Sequence, residues 1–132
     1  MSEKSIFTRI VEGEIPCYKI YEDDLVLAFL DINPIALGHT LVIPKAQIDR
    51  FEDVPAHIAA NLFISAQKIA RAIKQATGSA RIGMVIAGFD VPHTHIHLIP
   101  ANTMADIDFA RASKREDAEM KEVMERIILS LS

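Results

Sequence analysis

One cysteine, Cys17, is too few for an intramolecular disulfide, so the chain shows no sign of an oxidising compartment and its fold must rest on packing. Basic residues are in the minority. Fourteen lysines and arginines against eighteen acidic residues leave a formal net charge of −4, which excludes the positive footprint of a protein that grips extended nucleic acid. A small anionic ligand stays open, because a few local donors can hold one phosphate. No apolar run approaches the length that spans a bilayer, and the opening "MSEKSIFTRI" lacks the apolar core of a secretory leader. A cytoplasmic protein with no membrane partner is expected. Repeats, low-complexity stretches and linkers are absent as well, so residues 1–132 are expected to form one domain, large enough to bury a core without staples.

What is present alternates between strand and helix character. Ser5 is placed to cap a short helix through Val11, with Gly13 just past its end. "CYKIYEDDLVLAFLDI" carries two apolar runs around Glu22-Asp23-Asp24 and predicts a hairpin over 17–21 and 25–30. "HTLVIP", residues 39–44, predicts another strand stopped by Pro44. From Pro55 to Thr77 the period changes, and Ile58, Leu62, Ala66, Ile69, Ile73 and Ala76 form one apolar stripe of a long helix ended by Gly78. Strand character returns over 80–87, followed by a last strand entered at Pro92. Residues 101–112 are expected to be irregular. Ser113 and Glu116 predict a capping box for a final helix with Met120, Val123, Met124, Ile127 and Leu131 on one face. The fold class is α+β: a mostly antiparallel sheet with one long central helix and a C-terminal helix packed on one side, the core spanning 5–100 and the helical extension about 113–131.

Three of the five histidines stand in "DVPHTHIHLIP", at alternate positions 93, 95 and 97. On a strand they would share one face, anchored roughly 6.6 Å apart, with the outer pair roughly 13 Å apart. Three readings follow. They are solvated surface residues, or ligands of a zinc ion, or a nucleophile between donors around a phosphoryl group. The long outer spacing and the absence of neighbouring thiolates argue against one shared metal. For phosphoryl chemistry His95 is the natural reacting residue, since it alone neighbours both others and neutral imidazole is a competent nucleophile. His97 would donate to the phosphate, and His93 would orient its neighbours. His57, outside any motif, reads as surface.

His93-Thr94-His95-Ile96-His97-Leu98-Ile99 resembles the signature of the histidine triad (HIT) family of nucleotide hydrolases and transferases, and residues 6–45 resemble the family's N-terminal half. The resemblance implies that His95 forms a covalent nucleotidyl-histidine, that His97 contacts the scissile phosphate, and that His93 is supportive and lies near His39. It implies that Asp31 binds the ribose hydroxyls of a purine nucleotide and that Phe7, Phe29 and Ile32 wall the base. Each keeps a structural alternative, a turn residue for Asp31 and plain core for the three apolar residues. A homodimer is also implied. Many members hold structural zinc through a Cys-x-x-Cys pair, a further histidine and the first triad histidine. Here those positions read Ser5, Thr8 and Gln47, so neither metal nor other cofactor is expected. Where members usually carry a hydroxyl donor to the phosphates, this chain has Asp90, expected to point away or to hold His93.

The leading functional expectation is therefore an enzyme that hydrolyses or transfers a nucleoside monophosphate from a phosphoramidate or related conjugate. Dinucleoside polyphosphate cleavage is the alternative within the same chemistry. A non-catalytic nucleotide-binding sensor is the alternative outside it.

Overall fold

The computed structural model describes residues 3–131. Its elements in chain order are α1 (Ile6–Val11), β1 (Lys19–Glu22), β2 (Val26–Leu30), β3 (Thr40–Pro44), α2 (Ala56–Thr77), β4 (Arg81–Val85), β5 (Ile96–Ala101) and α3 (Asp117–Ser130). The strands form one sheet in the order β1-β2-β3-β5-β4, antiparallel at every pairing. This is the expected α+β architecture.

Local chemistry accounts for the turns. The Asp23 carboxylate accepts from the backbone N–H groups of Leu25 and Val26, at 2.9 and 2.8 Å, and so holds the β1–β2 hairpin closed. Ser5 caps α1 by accepting from Thr8 N–H. Gly78, at φ +71°, ends α2 in the left-handed conformation a side chain would resist.

Strands β2, β3 and β5 are buried throughout because both faces of the sheet are covered. On one face Val26, Ala28, Val42, Ile96 and Leu98 meet Leu62, Ala66, Ile69 and Ile73 of α2 and Met120, Val123 and Ile127 of α3. Each fully buried leucine or isoleucine contributes roughly 1.5–3 kcal/mol relative to exposure, so this layer is the principal source of stability. Leu27, Phe29, Leu41 and Ile43 point to the other face and pack with Phe7 of α1. One expectation is corrected here: the helices do not all lie on one side. The alternate residues of β2 and β3 are apolar too, so their second face needed a cover, and α1 supplies part of it.

Two further expectations change. The last strand begins only at Ile96, because Thr94 N–H donates to Ile48 O at 2.7 Å and His93 N–H to Val91 O at 2.8 Å, which diverts the segment before it into a loop. The capping box of the final helix does not form. Ser113 N–H donates to Pro34 O and the helix starts at Asp117, behind Glu116, without a side-chain cap. Residues 101–112, expected to be irregular, contain two short 3₁₀ turns at Met104–Asp106 and Phe109–Arg111.

Candidate active site

The three histidines are neither solvated nor equivalent. His93 and His95 precede β5 and His97 lies on it, and all three are buried together with His39, the residue before β3. Register explains the meeting: Leu41 pairs with His97 across β3 and β5, which brings His39, two residues away on the same face, beside the His97 ring at a centroid distance of 5.2 Å. His95 lies 5.0 Å from His97 and 5.0 Å from Phe7. His57 is exposed, as expected.

Backbone groups determine which ring nitrogen carries the proton in three of the four rings, and His39 determines it in His97. Ile35 N–H donates to His39 Nδ1 at 3.0 Å, so neutral His39 holds its proton on Nε2. That Nε2–H donates to His97 Nδ1 at 2.9 Å, which forces the proton of neutral His97 onto Nε2. Burial keeps both rings neutral: it pushes His39 down to about 3, assisted by His97, and His97 down to about 4, assisted by His95. His93 donates through Nε2 to Pro44 O and accepts Ser5 O–H at Nδ1, both at 2.8 Å, and burial lowers its pKa as well. His95 donates from Nδ1 to His93 O at 2.7 Å, leaving Nε2 with its lone pair. That nitrogen is buried and makes no hydrogen bond, although Asp90 Oδ1 stands 3.3 Å from it. Asp90 thus turns toward His95, correcting the expectation that it points away or holds His93; both nitrogens of His93 are already engaged.

These groups border a cavity of about 570 Å³. Phe7 and Phe29, edge to face at 5.6 Å, belong both to the second core layer and to the cavity wall, so the two readings of these residues hold at once. Ile32 stands at the rim, 66% exposed. Asp31 is a turn residue, accepting from Asn33 N–H at 2.9 Å, and its second oxygen lies 3.6 Å from His39 Nε2 on the cavity side. Burial pushes its carboxyl pKa up, with Asp90 adding to the effect. An imidazole nitrogen without a hydrogen bond beside an imidazole donor, over an apolar recess with a carboxylate at its edge, is an arrangement that can meet a phosphoryl group bearing an aromatic, diol-containing substituent.

The HIT domain pattern matches residues 12–104, about 70% of the chain and all but one of the residues discussed above as histidine, ribose or base-wall candidates, the exception being Phe7. The chain belongs to the HIT family. It is 38% identical over 135 residues to an uncharacterised HIT-like protein of Borreliella burgdorferi, covering 96% of this chain and 97% of that one. Adenylylsulfatase HINT3 of Arabidopsis thaliana is 41% identical over 100 residues, and adenosine 5′-monophosphoramidase HNT1 of Saccharomyces cerevisiae 38% over 96, each covering 72% of this chain. The chain spans 51% and 61% of the lengths of these two enzymes. Among solved structures, a Hit-like protein of Bartonella henselae superposes with a TM-score of 0.86 at 31% identity, covering 98% of both chains. A zinc-bound histidine triad protein of Mycobacterium smegmatis does so at 0.82 and 30%, covering 96% of this chain and 91% of that one.

The residues at the HIT zinc positions do not fit that metal. Ser5, Thr8, Gln47 and His93 do come together, but as a closed hydrogen-bond network. Thr8 O–H donates to Gln47 Oε1 at 2.6 Å, Ser5 N–H to the same oxygen at 2.7 Å, and Ser5 O–H to His93. One imidazole with both nitrogens occupied, two hydroxyls and an amide do not make a zinc site, which draws on thiolate, imidazole and carboxylate. A second group, Asp31, His39 and His97, brings ligand atoms within 4.8 Å of one another. Their tautomers instead form a donor chain running from Ile35 N–H to His97 Nε2.

Sequence reading missed three participants of this HIT site. Ile35 contributes through its backbone, which no side-chain pattern reveals. Phe109, in the second 3₁₀ turn, packs edge to face on His97 at 4.9 Å from a segment with no motif. Gln47 was noted only as a missing metal ligand.

Proposed function

We propose that this HIT protein hydrolyses or transfers a nucleoside monophosphate from a phosphoramidate or related conjugate in two steps, both passing through nucleotidyl-His95. The observation that carries this reading is the buried, unpartnered Nε2 of His95, whose lone pair is set by the bond from Nδ1–H to His93 O. Nε2 attacks the α-phosphorus, the bond to the leaving nitrogen or oxygen breaks, and the leaving group takes up a proton. Water or another acceptor then displaces His95. His97 Nε2–H donates to a phosphoryl oxygen, and His39 fixes that donor. His93 holds His95 through its carbonyl. Asp31 receives the ribose hydroxyls, while Phe7, Phe29 and Ile32 receive the base. The names of the Arabidopsis and yeast relatives support the choice of chemistry.

The test is incubation with adenosine 5′-phosphoramidate, following AMP release by chromatography and the quenched protein by peptide mass spectrometry. AMP release with adenylyl trapped on the His95 peptide is expected. AMP binding without turnover or adduct would favour the sensor reading instead.

We also propose a homodimer. The outer edge of β4 has no partner strand among the described residues, and Met84 on it lies beside Phe63 and Ile64 of α2, all three exposed. Light scattering should give twice the 14.6 kDa chain mass. A monomer at micromolar concentration would overturn this.

A further inference from the structure

The cavity carries an unusual charge pattern for a phosphate site. Asp31, Asp90 and Asp117 line it, and no lysine or arginine does among the described residues. Asp90 Oδ1 lies 3.3 Å from the nucleophilic nitrogen, yet the side chain is 71% exposed, on the loop between β4 and β5. His95 by contrast is 1% exposed. A phosphorus attacked by Nε2 must approach to about 3–3.5 Å, and so must share its surroundings with this carboxylate.

We propose that Asp90 is a specificity-determining residue: it disfavours conjugates whose leaving group adds negative charge and favours those in which an amine is bonded to the α-phosphorus. The proposal rests on the nucleotidyl-transfer reading of His95. In an amine conjugate the α-phosphate carries one negative charge. The Nε2–P bond forms, the P–N bond breaks, and the departing nitrogen takes one proton from solvent to leave as the neutral amine, or a second to leave as ammonium, neither of which Asp90 repels. A polyphosphate brings one or more further negative charges past Asp90, which has no lysine or arginine partner among the cavity-lining residues, whereas Asp117 is paired with Lys121 at 3.1 Å; its leaving group departs as an anion. Carboxylate repulsion therefore acts on the second class far more than on the first.

The experiment compares kcat/KM for an adenosine 5′-phosphoramidate of a primary alkylamine with kcat/KM for diadenosine tetraphosphate, in the wild type, Asp90→Asn and Asp90→Glu. Expected is a ratio favouring the amine conjugate that falls at least about tenfold in Asp90→Asn, is retained in Asp90→Glu, and narrows in the wild type as salt is raised. An unchanged ratio in Asp90→Asn, or an equal fall in Asp90→Glu, overturns the proposal, since either makes the carboxylate charge irrelevant to selection. If the wild type turns over neither substrate, the transfer reading fails and the charge argument is read from binding. Asp90→Asn should then tighten ATP at least about tenfold more than AMP, and equal effects on the two nucleotides overturn it.

Discussion

Replacing His95 by alanine is expected to lower kcat/KM for adenosine 5′-phosphoramidate by about 10⁴-fold or more, a loss of at least about 5 kcal/mol of transition-state stabilisation. The size follows from the covalent step: without Nε2 no other group in the cavity carries a lone pair at the same place, and His97 cannot substitute because its Nδ1 accepts from His39 and its Nε2 bears hydrogen. His97→Ala should cost less, about 10²–10³-fold, as the loss of one donor to the phosphoryl group. The fold should survive His95→Ala, since the side chain makes one hydrogen bond, to a backbone carbonyl of the neighbouring loop. Circular dichroism and the urea midpoint check this. Retention of more than about a tenth of the activity would remove His95 from the mechanism.

The second large effect is on acid stability. His39 and His97 titrate near 3 and 4 in the fold, and His93 is also held below its ordinary value. In the unfolded chain all three return to about 6.5. Between these limits the unfolded state binds more protons than the native one, so stability is complete above pH 6.5 and is lost as pH falls toward the folded values. The two protons of His39 and His97 make the limiting slope about 2.7 kcal/mol per pH unit, with His93 acting in the same direction, against a typical total of about 5–15 kcal/mol. Asp31 acts in the opposite direction, because its raised pKa lets the folded state take up a proton earlier, and it offsets at most one such proton. The urea midpoint should therefore fall steeply between pH 6.5 and 5. A midpoint constant over that interval would show that the rings are charged in the fold, and proton NMR of the histidine ring signals would identify which.

Periodicity made α2 legible almost to the residue, because one stripe faces one sheet. Apolar runs likewise exposed β2 and β3, but their burial on both faces concealed the need for a second cover, so the place of α1 was missed. Alternating histidines imitate a strand. What the sequence pattern did not contain was the competing acceptor, Ile48 O, which lies 46 positions from Thr94 and captures its N–H before pairing with β3 begins at Ile96. The choice of His95 as the reacting residue rested on its middle position. In the structure its distinction has a different source, a backbone carbonyl two positions away that fixes its tautomer, and backbone groups fix the tautomers of His39, from Ile35, and of His93, from the distant Pro44. Asp90 was recognised as unusual, yet its direction depended on His93 being already saturated by Ser5 and Pro44, which no spacing rule encodes.

The apolar layer formed by Phe7, Leu27, Phe29, Leu41 and Ile43 has a helix of only six residues over it, and three of its members, Phe7, Phe29 and Leu41, also line the cavity. A planar aromatic group that enters the cavity would therefore complete an interior that the polypeptide leaves short. Occupancy and folding are then thermodynamically linked: a ligand at a hundred times its Kd would raise the unfolding free energy by about 2.7 kcal/mol, and melting temperature becomes a readout of what the protein binds.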